Sequence, residues 1–348
     1  MILNPLPIHT SRFGGCTITG ALSVTTHVRN TASIVHGPKG CTHHNFSLLH
    51  ATGLDNETVT LPALVSTALC ECDIVFGGEG ALLRTLETVV AGNDVDAIFV
   101  LSTCIVDTIG DDVAAVCSRD FDVPVIVVPT AGFLGGTFQN GVVNALSAIA
   151  GSAGAVPVHD CVNIIGEKNL EYEVEENYAE VVRLLESLGI PVNLRFVHEI
   201  AFDEIGTLGA ARLNILREPA LTPVGDFLKL RFGTPYIPVF PLGLSGTLLF
   251  LESVAKLFDR DCGRVLEKER QLQDDTLARF SDLHGMAASF DPAMNDPDSV
   301  NSSAEVAKVL RIRMGQPNPG CVCLGPGSPV GTSGVRRMLH RWRRQIHA

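Results

Sequence analysis

No apolar run in this 348-residue chain reaches the roughly 18 residues that a helical membrane span needs. The N-terminus lacks the basic start, apolar stretch and small-residue cleavage site of a secretory signal. These two absences set the expectation of a cytoplasmic protein with no membrane partner. Basic charge is scarce as well: 26 Lys and Arg stand against 38 Asp and Glu, a net charge of −12. An acidic surface repels phosphate backbones, so nucleic acid is excluded as the main partner. No low-complexity tract is present, and the only repeat is a generic βα unit. Ten cysteines in a reducing compartment do not make a disulfide framework, which leaves core packing and metal ligation as their roles.

What is present is apolar and regular. At 46% hydrophobic and 18% charged, the chain can bury large cores, and its length suits two or three domains. Short apolar runs without alternation read as strands covered on both faces: Asp73–Phe76, Ala97–Leu101 and Pro124–Val128. Helical patterns follow over Ala81–Ala91, Ile109–Ser118 and Asn140–Ala150. A second series has strands at Val162–Ile165, Val192–Val197, Ala211–Leu216 and Tyr236–Phe240. Its helices are expected over Glu175–Leu188, from Asp203, and over Val224–Phe232 and Leu244–Phe258. Glu267–Leu283 reads as a charged helical connector. Two weaker βα units follow, Met286–Phe290 with Ser303–Met314 and Cys321–Leu324 with Val335–Gln345. The expected fold is α/β: two to three Rossmann-like domains with parallel sheets flanked by helices, the third one short. The expected segments are 1–155, 156–260 and 261–348. In such sheets ligands bind beyond the carboxyl ends of the strands.

Three cysteines sit at such ends, in tight-turn contexts. They are Cys16 after Gly14-Gly15, Cys41 after His36-Gly37-Pro38-Lys39-Gly40, and Cys104 after Ser102-Thr103. Glycines let a backbone approach a bulky cluster and leave amide N–H groups for its sulfides. Lys39 adds positive charge that favours thiolate. Asp111 and Asp112 are expected in the first turn of a helix, favoured there by its dipole. The other chemistry-bearing residues have plainer readings. Cys70-x-Cys72 and Cys321-x-Cys323 place two thiols on one strand face and read as core. Cys161 opens a strand and also reads as core. His43, His44 and His50 follow Cys41. His198, Glu199, Asp203 and Glu204 lie beyond a second-series strand. The acidic stretch Glu167–Glu180 reads as a solvated helix start. Gly325-Pro326-Gly327 reads as a turn. Arg336, Arg337, Arg341, Arg343 and Arg344 make the last 14 residues strongly basic, a solvated helix face or a patch for an acidic ligand.

Together these stretches resemble component 1 of nitrogenase and its relatives, which include the catalytic partners of dark-operative protochlorophyllide and chlorophyllide reductases. The matching motifs are Gly15-Cys16, His36-Gly37-Pro38-Lys39-Gly40-Cys41, Phe76-Gly77-Gly78-Glu79 and Ser102-Thr103-Cys104 with Ile109-Gly110-Asp111-Asp112. Val128-Pro129-Thr130-Ala131-Gly132-Phe133, Val162-Asn163-Ile164-Ile165-Gly166 and Arg231-Phe232-Gly233-Thr234-Pro235-Tyr236 also fit. The resemblance spans residues from about 10 to about 260, and the ordered cysteine trio is its specific part. It implies that Cys16, Cys41 and Cys104 ligate a [4Fe–4S] cluster at a subunit interface. It also implies a P-loop iron protein that docks over the cluster and delivers electrons. ATP and its Mg²⁺ belong to that partner, since this chain has no Gly-x-x-x-x-Gly-Lys-Ser/Thr motif.

The sequence departs from nitrogenase itself. That enzyme holds its catalytic metallocluster with a cysteine of the second domain and a histidine of the third, and neither is matched here. With its small size and acidic body, the chain resembles most the catalytic component of the Ni-sirohydrochlorin a,c-diamide reductive cyclases. That resemblance implies a nickel tetrapyrrole substrate, its reduction by six electrons with γ-lactam closure, and a subunit that pairs with itself. A homodimer brings six thiolates to one interface. One shared cubane would use two per chain, and one cubane per chain would use three with another ligand. Reducing a macrocycle also consumes protons, for which His43, His44, His198 and Asp203 are the candidate donors. A subunit acting on protochlorophyllide and a metallocluster assembly scaffold are the alternative readings.

Overall fold

The computed structural model describes residues 15–56, 61, 63–92, 94–130, 132, 136–291, 297–315, 322–324 and 329–347. Cys321 and the Gly325-Pro326-Gly327 turn lie outside them. The chain divides into two compact units. One comprises Ser11–Val174 and Asn193–Pro238; the other comprises Met1–Thr10, Glu175–Val192 and Val239–Ala348. Among the described residues, no helix is long and apolar enough to cross a membrane.

The first unit holds two parallel four-stranded sheets. In the first sheet, β1 (Thr31–His36), β2 (Leu64–Ser66), β3 (Ala97–Ser102) and β4 (Val125–Val128) lie in the order β2-β1-β3-β4. Val35 pairs with Leu101 and Leu101 with Val128, which sets the three carboxyl ends side by side. The chain runs from β1 to β2 on one flank and then to β3 on the other. The switch point therefore falls between β1 and β3, where the loops after both strands open. The second sheet repeats this plan with β5 (His159–Ile165), β6 (Val192–Phe196), β7 (Ala211–Leu216) and β8 (Tyr236–Ile237), in the order β8-β7-β5-β6.

Nine helices are numbered in chain order, eight of this unit and one that lies in the other unit from Glu175 on. They are α1 (Thr17–Thr25), α2 (Lys39–Asp55), α3 (Glu71–Phe76), α4 (Glu79–Ala91), α5 (Cys104–Ile109), α6 (Val113–Cys117), α7 (Phe138–Ala150), α8 (Val174–Ser187, continuing into the other unit) and α9 (Thr222–Phe232). One core joins Leu22 of α1, Phe99 and Leu101 of β3, Leu146 and Ile149 of α7, and Ile165, Phe196 and Leu216 of the second sheet. Each such side chain, fully buried, contributes about 1.5–3 kcal/mol. Helices α1 and α7 touch backbone to backbone. A Cβ on Gly20 would lie 1.9 Å from the Phe138 carbonyl oxygen, and one on Gly141 would lie 1.9 Å from that of Thr17. Only glycine permits this approach.

Three sequence expectations give way here, and a strand appears that the sequence reading does not expect. Asp73–Phe76 is helix, not strand: Asp73 accepts from the Cys70 N–H at 2.9 Å and so caps α3. Gly77, at φ +99°, ends it. Its face is open, with Val75 73% and Phe76 87% exposed, and Cys70 and Cys72 are exposed instead of core. Ile109–Ser118 splits into α5 and α6 at Gly110, whose φ of +80° stops α5, while Asp112 caps α6 by accepting from the Ala115 N–H. Strand β1 carries no continuous apolar run, yet all six of its residues are buried.

In the other unit, α10 (Gly243–Leu257), α11 (Gly263–Ala278), α12 (Pro297–Val309) and α13 (Gly331–His347) surround a parallel sheet. Its strands β9 (Ala287–Phe290), β10 (Arg313–Met314) and β11 (Val322–Leu324) lie in the order β10-β9-β11. Met338, Leu339 and Trp342 of α13 pack into its core. Helix α12 stops at Val309 and Arg311 takes φ +52°, which frees Arg313–Met314 to form a strand within the stretch expected as helix. Two of the C-terminal arginines are committed internally. Arg337 donates to Asn177 Oδ1 and Ser333 Oγ, and Arg343 donates to Asp282 and lies over the Phe280 ring. Arg336 and Arg344 are exposed. Glu180 is buried and paired with Arg183 at 2.8 Å, which corrects the solvated reading of that stretch.

Candidate metal-cluster site

The switch point of the first sheet gathers the three singled-out cysteines at helix starts. Cys16 is the N-cap of α1, Cys41 lies in the first turn of α2 after Pro38, and Cys104 opens α5 behind Thr103. None of these helices draws on a side chain to cap its first N–H groups. Cys16 is exposed and the other two are half-buried. Burial raises the Cys41 thiol above its ordinary pKa, with Cys16 and Cys104 acting in the same direction. Among the described residues, however, no three His, Cys, Asp or Glu converge on a point where a single metal ion would sit. A polynuclear group, in which each cysteine holds its own iron, does not need such a point.

Two further observations fit such a group. Gly132 lets its loop lie close against one thiol: a Cβ there would press on Cys104 Sγ at 3.1 Å and lie 3.5 Å from Thr17 Oγ1. The threonines that adjoin the cysteines, Thr17, Thr42 and Thr103, are buried and their hydroxyls have no hydrogen-bond partner. The donor set of three thiols beside unspent hydroxyls therefore accommodates an iron–sulfur cluster.

A buried polar network fixes the loops that carry Cys41 and Cys104. His36 Nε2 lies 3.1 Å from Asp111 Oδ2, and the side chains are 0% and 3% exposed. Asp111 accepts the Gly78 N–H on both oxygens at 3.0 Å. The Thr67 hydroxyl lies 3.0 Å from His36 Nδ1 and accepts from the Gly37 N–H at 2.9 Å. Thr103 N–H donates to the His36 carbonyl, joining the loop after β1 to that after β3. Burial lowers the His36 pKa, with Asp111 opposing. The ring is neutral: its Nε2–H donates to Asp111, and its Nδ1 accepts from Thr67. This network explains the glycine pair before Glu79, because a Cβ on Gly78 would lie 2.7 Å from Asp111 Oδ2 and 3.1 Å from His36 Cε1. Glu79 in turn accepts from the Asp112 N–H. The Gly37 N–H is therefore spent on Thr67 and not left for a ligand.

The candidate proton donors fall in two places. His43 and His44 are exposed on α2, within one turn of Cys41. His50, further along α2, stacks on Phe46. His198 belongs to another cluster: its ring stacks on His27 at 4.9 Å and its Nδ1 lies 2.7 Å from Asn169 Oδ1. Burial, with Arg195 and His27 adding, pushes its pKa down to about 2, so it is a neutral hydrogen-bonding group at neutral pH. Glu199 pairs with His27, and Glu204 with Arg29. Asp203 is exposed at the start of the 3-10 turn Asp203–Ala210. Cys161 is buried, its Sγ 3.7 Å from the Ala210 carbonyl oxygen, and burial raises its pKa.

A second charged cluster corrects the solvated reading of Glu167 and includes two arginines that the sequence reading does not single out. At the switch point of the second sheet, Glu167 follows β5, Arg195 lies on β6 and Arg217 follows β7. Arg195 bonds Glu167 at 3.1 Å and Arg217 approaches it at 3.7 Å, all three side chains being under 10% exposed. Lys168 links Glu171 and Glu218 at the rim. A Gly-Glu pair at a strand end was the available signal.

The fold is shared with a solved structure titled "Nitrogenase Cp1 at pH 5". The TM-score is 0.69 at 22% identity, covering 90% of this chain and 65% of that one. Residues 16–289 match the family of nitrogenase component 1 type oxidoreductases. This chain belongs to that family. Curated relatives include the nitrogenase iron-molybdenum cofactor biosynthesis protein NifE of Clostridium pasteurianum, 29% identical over 75% of this chain and 58% of that protein. Another is the nitrogenase molybdenum-iron protein alpha chain of Methanothermobacter thermautotrophicus, 28% identical over 66% of this chain and 52% of that protein. The chain therefore spans a little over half the length of these relatives.

Proposed function

We propose that this chain is the cluster-bearing, electron-accepting subunit of a nitrogenase-like, ATP-dependent reductase. The observation that supports this reading is the placement of Cys16, Cys41 and Cys104 at the starts of three helices of the first unit, with Cys104 at the carboxyl end of β3. In this reading they hold a [4Fe–4S] cluster, and a P-loop iron protein delivers the electrons. When bound, the cluster supplies one-electron storage between partner and substrate. The chain's own residues do the rest. Gly132 and Gly37 keep the backbone out of the way of the cysteine loops, and the His36–Asp111 pair holds those loops in register. His43 and His44, beside Cys41, supply protons, with Asp203 further from the thiols; His198, neutral at neutral pH, keeps its hydrogen bond to Asn169 and is not a proton donor.

For the substrate, the reading is a nickel tetrapyrrole, Ni-sirohydrochlorin a,c-diamide, reduced with lactam ring closure. Its support is the missing second-domain ligand, since Cys161 is a buried strand residue. The chain is expected to act as a homodimer. A second reading, a scaffold that assembles a metallocluster and passes it on, is favoured by the similarity to a NifE protein named for cofactor biosynthesis. Mixing the anaerobic protein with a P-loop iron protein, ATP and the nickel tetrapyrrole separates the two. The reductase reading predicts ATP-dependent product with iron retained on the chain. Transfer of labelled iron to an acceptor protein, without product, would replace it with the scaffold reading.

A further inference from the structure

Each candidate cluster cysteine has a threonine beside it in sequence: Thr17 after Cys16, Thr42 after Cys41 and Thr103 before Cys104. These three are 1%, 9% and 2% exposed, and all three hydroxyls lack a partner. Most other buried hydroxyls of the same unit are spent. Thr31 donates to the Val28 carbonyl, Ser33 to Thr25, and Thr130 to the Ser102 carbonyl. Among the described residues, Thr234 is the one other threonine in the unspent state. Buried polar groups are nearly always bonded, so three exceptions at the three cysteines call for a common acceptor.

Geometry brings one of these hydroxyls and one thiol to the same place: Thr17 Oγ1 of α1 and Cys104 Sγ of α5 both crowd Gly132, where a Cβ would lie 3.5 Å and 3.1 Å from them. Thr103 Oγ1 abuts Gly37, where a Cβ would lie 2.2 Å from it, at the root of the Cys41 loop. Cys16 Sγ already lies 3.7 Å from the hydroxyl of Thr19. Packing alone would be served as well by valine, which has the same shape and no hydroxyl.

We propose that Thr17, Thr42 and Thr103 are positioning residues whose hydroxyls donate to the sulfurs of the group held by Cys16, Cys41 and Cys104, and so raise its reduction potential. This rests on the cluster reading above. The cluster gains one electron and the reductant loses one, while the threonines keep all their covalent bonds and protons. Reduction adds negative charge at sulfur, so a donor there stabilises the reduced form more than the oxidised one.

The test is a dithionite titration of the full chain, purified anaerobically and followed by electron paramagnetic resonance, with iron and acid-labile sulfide counted in the same samples. Thr17→Val, Thr42→Val and Thr103→Val are each expected to keep wild-type iron and sulfide and to shift the potential negative. Combined, they change the redox equilibrium about tenfold, which is about 59 mV for a one-electron couple. Thr→Ser at the same positions restores the wild-type potential. A triple valine variant that keeps its iron at an unmoved potential overturns the proposal alone; a wild type without iron overturns the cluster reading and this with it. Where a valine variant does not fold or loads no iron, the wild type decides by electron-nuclear double resonance after exchange into deuterated water. Deuterium coupled to the reduced cluster supports donation, and none overturns it.

Discussion

Gly141→Ala is expected to destabilise the protein by about 3 kcal/mol and to deplete its iron. Alanine is normally the better helix residue by about 1 kcal/mol, so propensity alone predicts the opposite sign. Space decides against it. The new Cβ would lie 1.9 Å from the Thr17 carbonyl oxygen and 2.8 Å from the Ala21 nitrogen. Both are backbone atoms inside α1, and neither can rotate away. Relief requires α1 to move, and Cys16 is its N-cap. Gly80→Ala is the control: there the near atom is the far end of the Arg84 side chain, at 3.3 Å. Chemical denaturation of the two variants checks this. A Gly141→Ala variant as stable as wild type would mean that the crossing of α1 and α7 is looser than described.

Asp111→Ala is expected to cost about 2–4 kcal/mol, the order expected for leaving two buried donors without their acceptor. It strands His36 Nε2 and the Gly78 N–H, both bonded only through that carboxylate in this network. It also sharpens the response to acid. A histidine with a lowered folded pKa contributes stability that is complete above about pH 6.5 and lost as pH falls towards the folded value. His36 and His198 are both of this kind, and for His198 the window runs down to about 2. Each can remove up to about 1.4 kcal/mol per pH unit within its window. Asp111 raises the His36 pKa, so its loss widens that window downward. Denaturation midpoints between pH 7 and pH 5 should therefore fall more steeply in Asp111→Ala than in wild type. Parallel profiles would show that His36 does not titrate against this carboxylate.

The sequence announced the fold class through its buried strands. Ala97–Ser102 and Ala211–Leu216 are apolar enough to stand out, and both lie inside parallel sheets. Strand β1 escaped notice because Thr31, Ser33 and His36 interrupt it. Their polarity is satisfied by partners distant in sequence, Ser33 by Thr25 and His36 by Asp111, and no local pattern reveals such pairs. Strand Asp73–Phe76 was misread because Ile74, Val75 and Phe76 form an apolar run, while the cap at Asp73 outweighs it locally. At the site, the cysteines were legible from their glycine contexts. The reason for those glycines was not. Gly78 makes room for Asp111, and Gly37 for Thr103, across loops that only the sheet brings together. The three idle threonine hydroxyls could not be seen from sequence at all, since being unpartnered is a property of the folded surroundings.

Iron and acid-labile sulfide counted per chain, in wild type and in a Cys16→Ala, Cys41→Ala, Cys104→Ala variant purified without oxygen, test the central claim most directly. The account predicts about two irons per chain for one cubane shared by a homodimer, or about four for one per chain, with matching sulfide. It predicts none in the triple variant, which still folds. Iron and sulfide that persist after all three cysteines are removed, or a wild type that never holds them, would contradict it.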